Sequence, residues 1–167
     1  MTAISEDPHV QLRSKLWHTI NERYPGSMIE KHDYVELARL GKPLSQARLT
    51  FVSTAGVQAR GSLPFDTAHP IGDYTFRRVP SRARPSELEI HQIKYPTFGA
   101  HADLNVIFPI ERLQELAAEG VIGSLTEHLF SFVGYNMDPA RVERDIAEQI
   151  AVAVGAEHAD AALLCPA

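Results

Sequence analysis

Short apolar runs alternate with helical repeats along most of this chain, and turn residues separate them. Arg48–Thr54, RLTFVST, is rich in β-forming residues and stops at Ala55-Gly56, which predicts a buried strand running into a loop. Leu88–Lys94, LEIHQIK, sets Leu88, Ile90 and Gln92 against Glu89, His91 and Ile93 and predicts a second strand. Pro109–Glu119 puts Ile110, Leu113, Leu116 and Ala117 on one helical face, with Gly120 as its stop. Leu129–Val133 predicts a third strand ending at Gly134-Tyr135. Asp138-Pro139 then caps a helix that carries Val142, Ile146, Ile150 and Val154, each four apart, and Gly155 ends it. The terminal run Ala161–Cys165 is apolar and unpunctuated, as expected of a strand buried on both faces.

Strand, helix, strand, helix, strand predicts an α/β fold, a parallel-type sheet covered by helices in three layers. Ahead of it, Asp7-Pro8 offers a cap and a first-turn proline. Leu12, Leu16 and Ile20 follow at helical spacing, with Trp17 and Tyr24 beside them and Pro25-Gly26 as the stop. A shorter helix is expected from Asp33 to Leu40, closed by Gly41 and Pro43. Residues 1–46 therefore read as a helical arm and 47–167 as the α/β domain. The stretch from Val57 to Glu87 holds Pro64, Pro70, Pro80 and Pro85 and reads as irregular, with a short strand at Tyr74–Val79. Loops of that length are usually functional or disordered. In open α/β sheets, ligands collect outside the carboxyl ends of the strands. The loops after Thr54, Lys94, Val133 and Cys165 are thus expected to share one rim.

Composition narrows the class. With 167 residues, 44% hydrophobic and 22% charged, the chain suits one globular domain. A net charge of −5 gives no general pull towards nucleic acid or an anionic membrane. No apolar run approaches the roughly 20 residues that cross a bilayer. The start, MTAISEDPHVQ, has neither the basic nor the apolar region of a secretory signal, so a cytoplasmic protein is expected. Cys165 is the sole cysteine, which excludes an internal disulfide and a multi-cysteine zinc site.

The densest polar stretch is HQIKYPTFGAHADLN, with His91, His101, Asp103 and Asn105. Two imidazoles and a carboxylate can form a facial metal site. Alternatively, Asp103 and Asn105 brace the helix that starts near Pro109. Thr54-Ala55-Gly56 could present backbone N–H groups to an anionic ligand or be a simple turn. Arg77 and Arg78 could fork a substrate carboxylate or form a solvated face. His128 reads as a cap, and His69 as a mobile base or a bystander. Cys165, at the carboxyl end of its strand, is a candidate nucleophile or a small buried hydrophobe.

The order of segments resembles a known family. LTFVSTAGVQARGSLPFD, GDYTFRRVP, the His91 strand, ADLNVIFPIERLQELAAEGVIGSL and FSFVGY resemble the selenoprotein B component of glycine, sarcosine and betaine reductase and its relative in D-proline reductase. The likeness runs from about Arg48 to Ala167. Its most specific piece is Asp103-x-Asn105-x-x-x-Pro109 leading into Ile110-Glu111-Arg112-Leu113 and Glu119-Gly120-x-Ile122-Gly123.

The resemblance implies reductive cleavage of a small amino acid or betaine-like substrate by a selenol or thiol, with a thiol donor or partner subunits regenerating it. It implies pocket or loop roles for Thr54, Gly56, His91, Asp103 and Asn105, with His91 and His101 as proton donors. Family members continue past the strand matching Ala161–Cys165 into a selenocysteine or cysteine followed by a second cysteine. Selenocysteine is therefore expected just beyond Ala167, with the domain lacking its C-terminal part because a UGA codon ends the chain. KYPTFGA at Lys94–Ala100 departs from the family's more polar loop and leaves the substrate open.

Two other readings stand beside this one. The first is a metal-dependent hydrolase or lyase using His91, His101 and Asp103. The second is a non-catalytic module that oligomerises through Leu12, Trp17 and Ile20. An uncovered terminal strand also predicts a homo-oligomer.

Overall fold

The computed structural model describes residues 8–23, 25 and 38–167. Helix α1 spans Pro8–Arg23 as the apolar repeat predicts, and Leu16 on it is exposed. The predicted cap at Asp7, the stop at Gly26, most of the helix from Asp33, and the side chains of Leu12 and Trp17 lie outside the described residues.

Strand β1, Arg48–Ser53, is the centre of a mixed sheet. On one flank, β7 (Ala161–Cys165) runs parallel to it in unbroken register from Leu49↔Ala161 to Ser53↔Cys165. On the other flank lie β5 (Ser124–Leu125) and β6 (His128–Phe132), both parallel to β1. These two form one strand line broken at Thr126-Glu127, where the Thr126 hydroxyl donates to His128 O at 2.7 Å. Beyond β6, β3 (Phe76–Pro80) pairs antiparallel, Phe76 opposite Phe132 and Pro80 opposite His128.

Alternation along β1 builds a core on each face. Leu49 and Phe51 join Phe108, Ile110 and Leu113, the last two on α3 (Ile110–Ala118). Phe51 and Phe108 meet edge to face at 5.2 Å. Val52 turns the other way, onto Phe130, Ile146, Ile150 and Ala153. Helices on both faces of the sheet give the three layers that the strand–helix pattern predicts.

The last three of those residues sit on one continuous helical stretch. It runs from α4 (Pro139–Arg141) through a π-helical segment at Val142–Ala147 into α5 (Glu148–Ala156). An α-helix turns 100° per residue, so side chains four apart drift by about 40° per step. The wider π turn between Val142 and Ala147 takes back part of that drift and keeps Ile146 and Ile150 on one face. The helix passes Gly155 and stops one residue later; His158, at φ 54°, makes the turn into β7.

Three expectations are corrected. LEIHQIK forms a strand only at Leu88–Ile90 (β4), outside the main sheet, in a two-stranded antiparallel ribbon with β2 (Val57–Ala59). Gln92 ends it, because its side-chain oxygen accepts the N–H groups of Ile93 and Lys94, both at 2.9 Å. The stretch Val57–Glu87 is ordered: buried Asp73 accepts from Asp66 N at 2.6 Å and Thr75 N at 2.8 Å, and from the Thr75 hydroxyl. Finally, β7 is not buried on both faces. It is an edge strand, with Leu163 45% and Leu164 69% exposed.

Asp160 anchors the start of β7. Its carboxylate accepts from Arg48 N at 2.8 Å and pairs with Lys42 Nζ at 2.8 Å. The backbone bond from Arg48, then the bond from Lys42, hold this carboxyl below the usual aspartate range. A depressed folded-state pKa contributes stability above the unfolded value, lost as pH falls through the folded one. Protection of the β7 amides, measured by hydrogen exchange, is therefore expected to fall below about pH 4. In Asp160→Asn that acid step should be absent.

Candidate active site

The carboxyl ends of β1, β6 and β7 come together at one rim. Thr54 follows β1, and its hydroxyl accepts from Ala167 N at 2.8 Å and donates to Ala167 O at 3.1 Å, holding the chain beyond β7 against β1. Gly134, after β6, packs so closely on Thr54 that a Cβ there would lie 2.9 Å from the Thr54 Cβ. Tyr95 donates to Ala55 O at 3.3 Å, and Lys94 Nζ lies 4.3 Å from the centre of the Tyr135 ring. The loops expected to meet after Thr54, Lys94, Val133 and Cys165 do meet.

Gly56 is the pivot. It adopts φ 66°, a left-handed conformation that glycine takes at little cost. Its N–H donates to Phe132 O at 2.9 Å, and its carbonyl accepts from His91 N at 2.8 Å. An added Cβ would sit 2.5 Å from His91 O. One residue thus ties the end of β6 to the backbone of His91.

His91, His101 and Asp103 line one cleft of about 700 Å³, together with Arg60, Arg84 and Glu111. His101 comes from the short helix α2, Phe98–Ala102. His91 lies two residues after Glu89, on the same face of the ribbon, and Glu89 Oε1 approaches His91 Nε2 at 3.3 Å. The same oxygen accepts from Gln58 Nε2 at 3.0 Å; Gln58 is fully buried and sits opposite Glu89 in the register. The Gln58 bond, followed by the His91 contact, holds the Glu89 carboxyl below the usual glutamate range. Glu89 is therefore a standing acceptor that orients the His91 ring.

Asp103 and Asn105 take the bracing role weighed for them. Asp103 Oδ1 accepts from Asn105 N and Asn105 Nδ2, both at 2.9 Å. Asn105 Oδ1 accepts from Glu111 N at 3.2 Å, capping the first turn of α3, and its amide donates to Glu111 Oε2 at 2.7 Å. The backbone and side-chain bonds from Asn105 hold the Asp103 carboxyl below the usual range, so it faces the cleft as a fixed negative charge. Among the described residues, no group of three or more His, Cys, Asp or Glu is arranged to hold a metal ion. The facial set of His91, His101 and Asp103 is not formed.

Arg77 is absent from the residues lining this cleft. Its guanidinium donates to Leu63 O at 3.0 and 3.2 Å and to the Thr75 hydroxyl at 2.8 Å, and it stacks 4.1 Å from the Phe65 ring centre. Those bonds pin the loop ahead of β3. His128, at the other end of β6, bonds Glu157 through its backbone N–H at 2.9 Å and its ring Nδ1 at 2.8 Å. Cys165 is a free thiol, half-buried at the end of β7, with Sγ 3.7 Å from Pro166 O. It borders a second, apolar cleft of about 680 Å³ between β7 and α5, floored by Val52, Ala162 and Leu164. Residue reading missed Glu89 and Gln58. The Glu89-x-His91 spacing on one strand face was the available signal for the first, whereas the second depends on strand pairing.

No helix of the described residues is long and apolar enough to cross a membrane. No solved structure matches the chain. The D-proline reductase subunit gamma of Acetoanaerobium sticklandii is 29% identical over 123 residues, 74% of this chain and 50% of that protein. The betaine reductase complex component B subunit beta of Peptoclostridium acidaminophilum is 30% identical over 132 residues, covering 74% of this chain and 29% of its own. The glycine reductase complex component B subunit gamma of Symbiobacterium thermophilum is 28% identical over 115 residues, 65% of this chain and 27% of that one. This chain thus spans half or less of the length of these relatives. Residues 20–167 match the family model described as glycine/sarcosine/betaine reductase selenoprotein B, and the chain belongs to that family.

Proposed function

We propose that this protein is a component of a selenol- or thiol-dependent reductase that cleaves a small amino acid or betaine-like substrate. The match of residues 20–167 to the family carries this reading. The cleft beside His91 and His101 supports it, because breaking a C–N or C–X bond requires protonating what leaves. The balance is simple. Two thiol or selenol groups supply two electrons and two protons and end joined as a disulfide or selenenyl sulfide. The substrate carbon takes one hydrogen, and the leaving group takes the other.

In this reading His91, oriented by Glu89, delivers the proton, His101 closes the far side of the cleft, and Asp103 with Asn105 holds its wall. Thr54 and Gly56 set the rim. Cys165 stands where β7 brings a sulfur to that rim. Titration of the purified chain with glycine, sarcosine, betaine and D-proline tests the substrate role. One of them is expected to shift the ring resonances of His91 and His101 saturably. If none does so, alone or with the other reductase subunits present, the reading is wrong.

The relatives' names describe subunits and components of complexes, and we propose that this chain also assembles, with a second copy of itself through β7. Leu49 O accepts from Thr126 N on the β5 side, so the backbone groups of Thr50 and Val52 face β7. Given the register, Ala161, Leu163 and Cys165 bond to β1, and the N–H and C=O of Ala162 and Leu164 point outward. A two-fold antiparallel pairing then sets each Ala162 against the other copy's Leu164, small against large, and covers the apolar edge. Ala162→Pro removes an outward N–H and is expected to turn a dimer into a monomer in sedimentation without loss of fold. A monomeric parent protein at high concentration would rule this pairing out.

A further inference from the structure

We propose that a second cleft, at the opposite end of the sheet from the rim, binds a phosphate group. It lies where β1 begins, where β5 gives way to β6, and where antiparallel β3 ends; it has a volume of about 450 Å³. Arg48, Ser81, Arg82, Thr126 and Glu127 bring polar groups to its wall. None of them belongs to the site described above.

The arginines point to an anion. Arg48 Nε is shut away from solvent and has no hydrogen-bond partner. A buried N–H left unpaired loses its bond to water and gains nothing in return, the more so on a charged group, so such a donor calls for an acceptor. Among the described residues, the guanidiniums of Arg48 and Arg82 make no ion pair, as is also true of Arg39, Arg60, Arg77 and Arg78; what sets Arg48 apart is its buried donor. Arg48 and Arg82 line this one cleft together.

Neighbouring carboxylates leave the Arg48 Nε–H without an acceptor, although the Arg48 charge acts on Asp160. Asp160, beside Arg48, is already held by Lys42 Nζ and the Arg48 backbone N–H. Glu127 lines the cleft yet pairs with neither arginine. Its presence selects among anions. A carboxylate ligand can only accept hydrogen bonds and would repel Glu127. A hydrogen phosphate or phosphomonoester accepts from both guanidinium forks and can turn a protonated oxygen towards Glu127. The Ser81 side chain adds a hydroxyl that can serve as donor or acceptor.

The test is titration of the full chain with inorganic phosphate, with chloride at matched ionic strength as control, followed through the Arg48 Nε–H resonance and by calorimetry. Phosphate is expected to move that resonance saturably, and chloride is not. Arg82 is exposed, so Arg82→Ala should fold normally and weaken phosphate binding by about tenfold or more, the usual loss for one charge-assisted pair. Arg48→Gln should abolish binding. A small sugar phosphate in parallel separates two sources of the same chemistry. Tighter binding of the ester identifies a phosphorylated metabolite as ligand, and binding of inorganic phosphate at least as tight identifies the free ion. No saturable shift with either, an equal response to chloride, or undiminished affinity in Arg82→Ala overturns the proposal.

Discussion

Gly56→Ala is expected to destabilise the protein by about 3 kcal/mol, at the upper end of ordinary single substitutions. Two costs combine. At φ 66° an alanine adopts a left-handed conformation that costs it about 1 kcal/mol or more. The larger cost is contact, since the new Cβ would lie 2.5 Å from the backbone oxygen of His91 and cannot be absorbed by turning a flexible side chain. Either β4 retreats, breaking the His91 N to Gly56 O bond of 2.8 Å, or the Gly56 N to Phe132 O bond opens. Urea denaturation measures the loss. A change below about 1 kcal/mol would mean that the turn relaxes freely and does not hold the cleft. A control at Gly120, also at positive φ but with nothing within 4 Å of an added Cβ, should show the conformational cost alone.

On the proposed reductase reading, His91→Ala is expected to lower kcat, measured with the partner subunits that reading calls for, by about 10²-fold or more, the range for loss of a general acid. Glu89→Gln should fall between this variant and the parent, because it removes the charge that orients the ring but keeps a hydrogen-bonding oxygen near Nε2. Its distinguishing readout is the pH profile. Glu89 stays ionised well into the acid range, held there by Gln58 and His91. As pH falls through that depressed value Glu89 protonates and its hold on the His91 ring weakens, so the parent profile should lose kcat there and Glu89→Gln should lack that step. A His91→Ala enzyme with unchanged kcat would remove His91 from the proton path and leave His101 as the candidate in the same cleft.

How much of this was legible residue by residue follows from which contacts are local. Strand β1, helix α3 with its Gly120 stop, and the capped start at Asp138-Pro139 depend on near-neighbour periodicity and were readable. So was the gathering of loops at one rim, because parallel strands send their carboxyl ends the same way. The ribbon of β2 and β4 was not readable. LEIHQIK carries strand character along its whole length, and only the pairing with Val57–Ala59 and the Gln92 side chain decide where it stops. The exposure of β7 was misjudged for a related reason: an apolar run shows that a residue can be buried, not that anything lies over it.

The site divides the same way. Sequence by itself determined the family signature, the α/β order and the residues able to move a proton, because these rest on residue identity and short spacings. Tertiary structure alone decided what each does. It joined His91 to Glu89 and Gln58 across two strands and drew Arg77 into a loop. It also set Asp103 and Asn105 to bracing a helix and left Arg48 with a buried unpaired donor. Hydrogen bonds act within about 3 Å, and folding alone brings residues tens of positions apart within that reach.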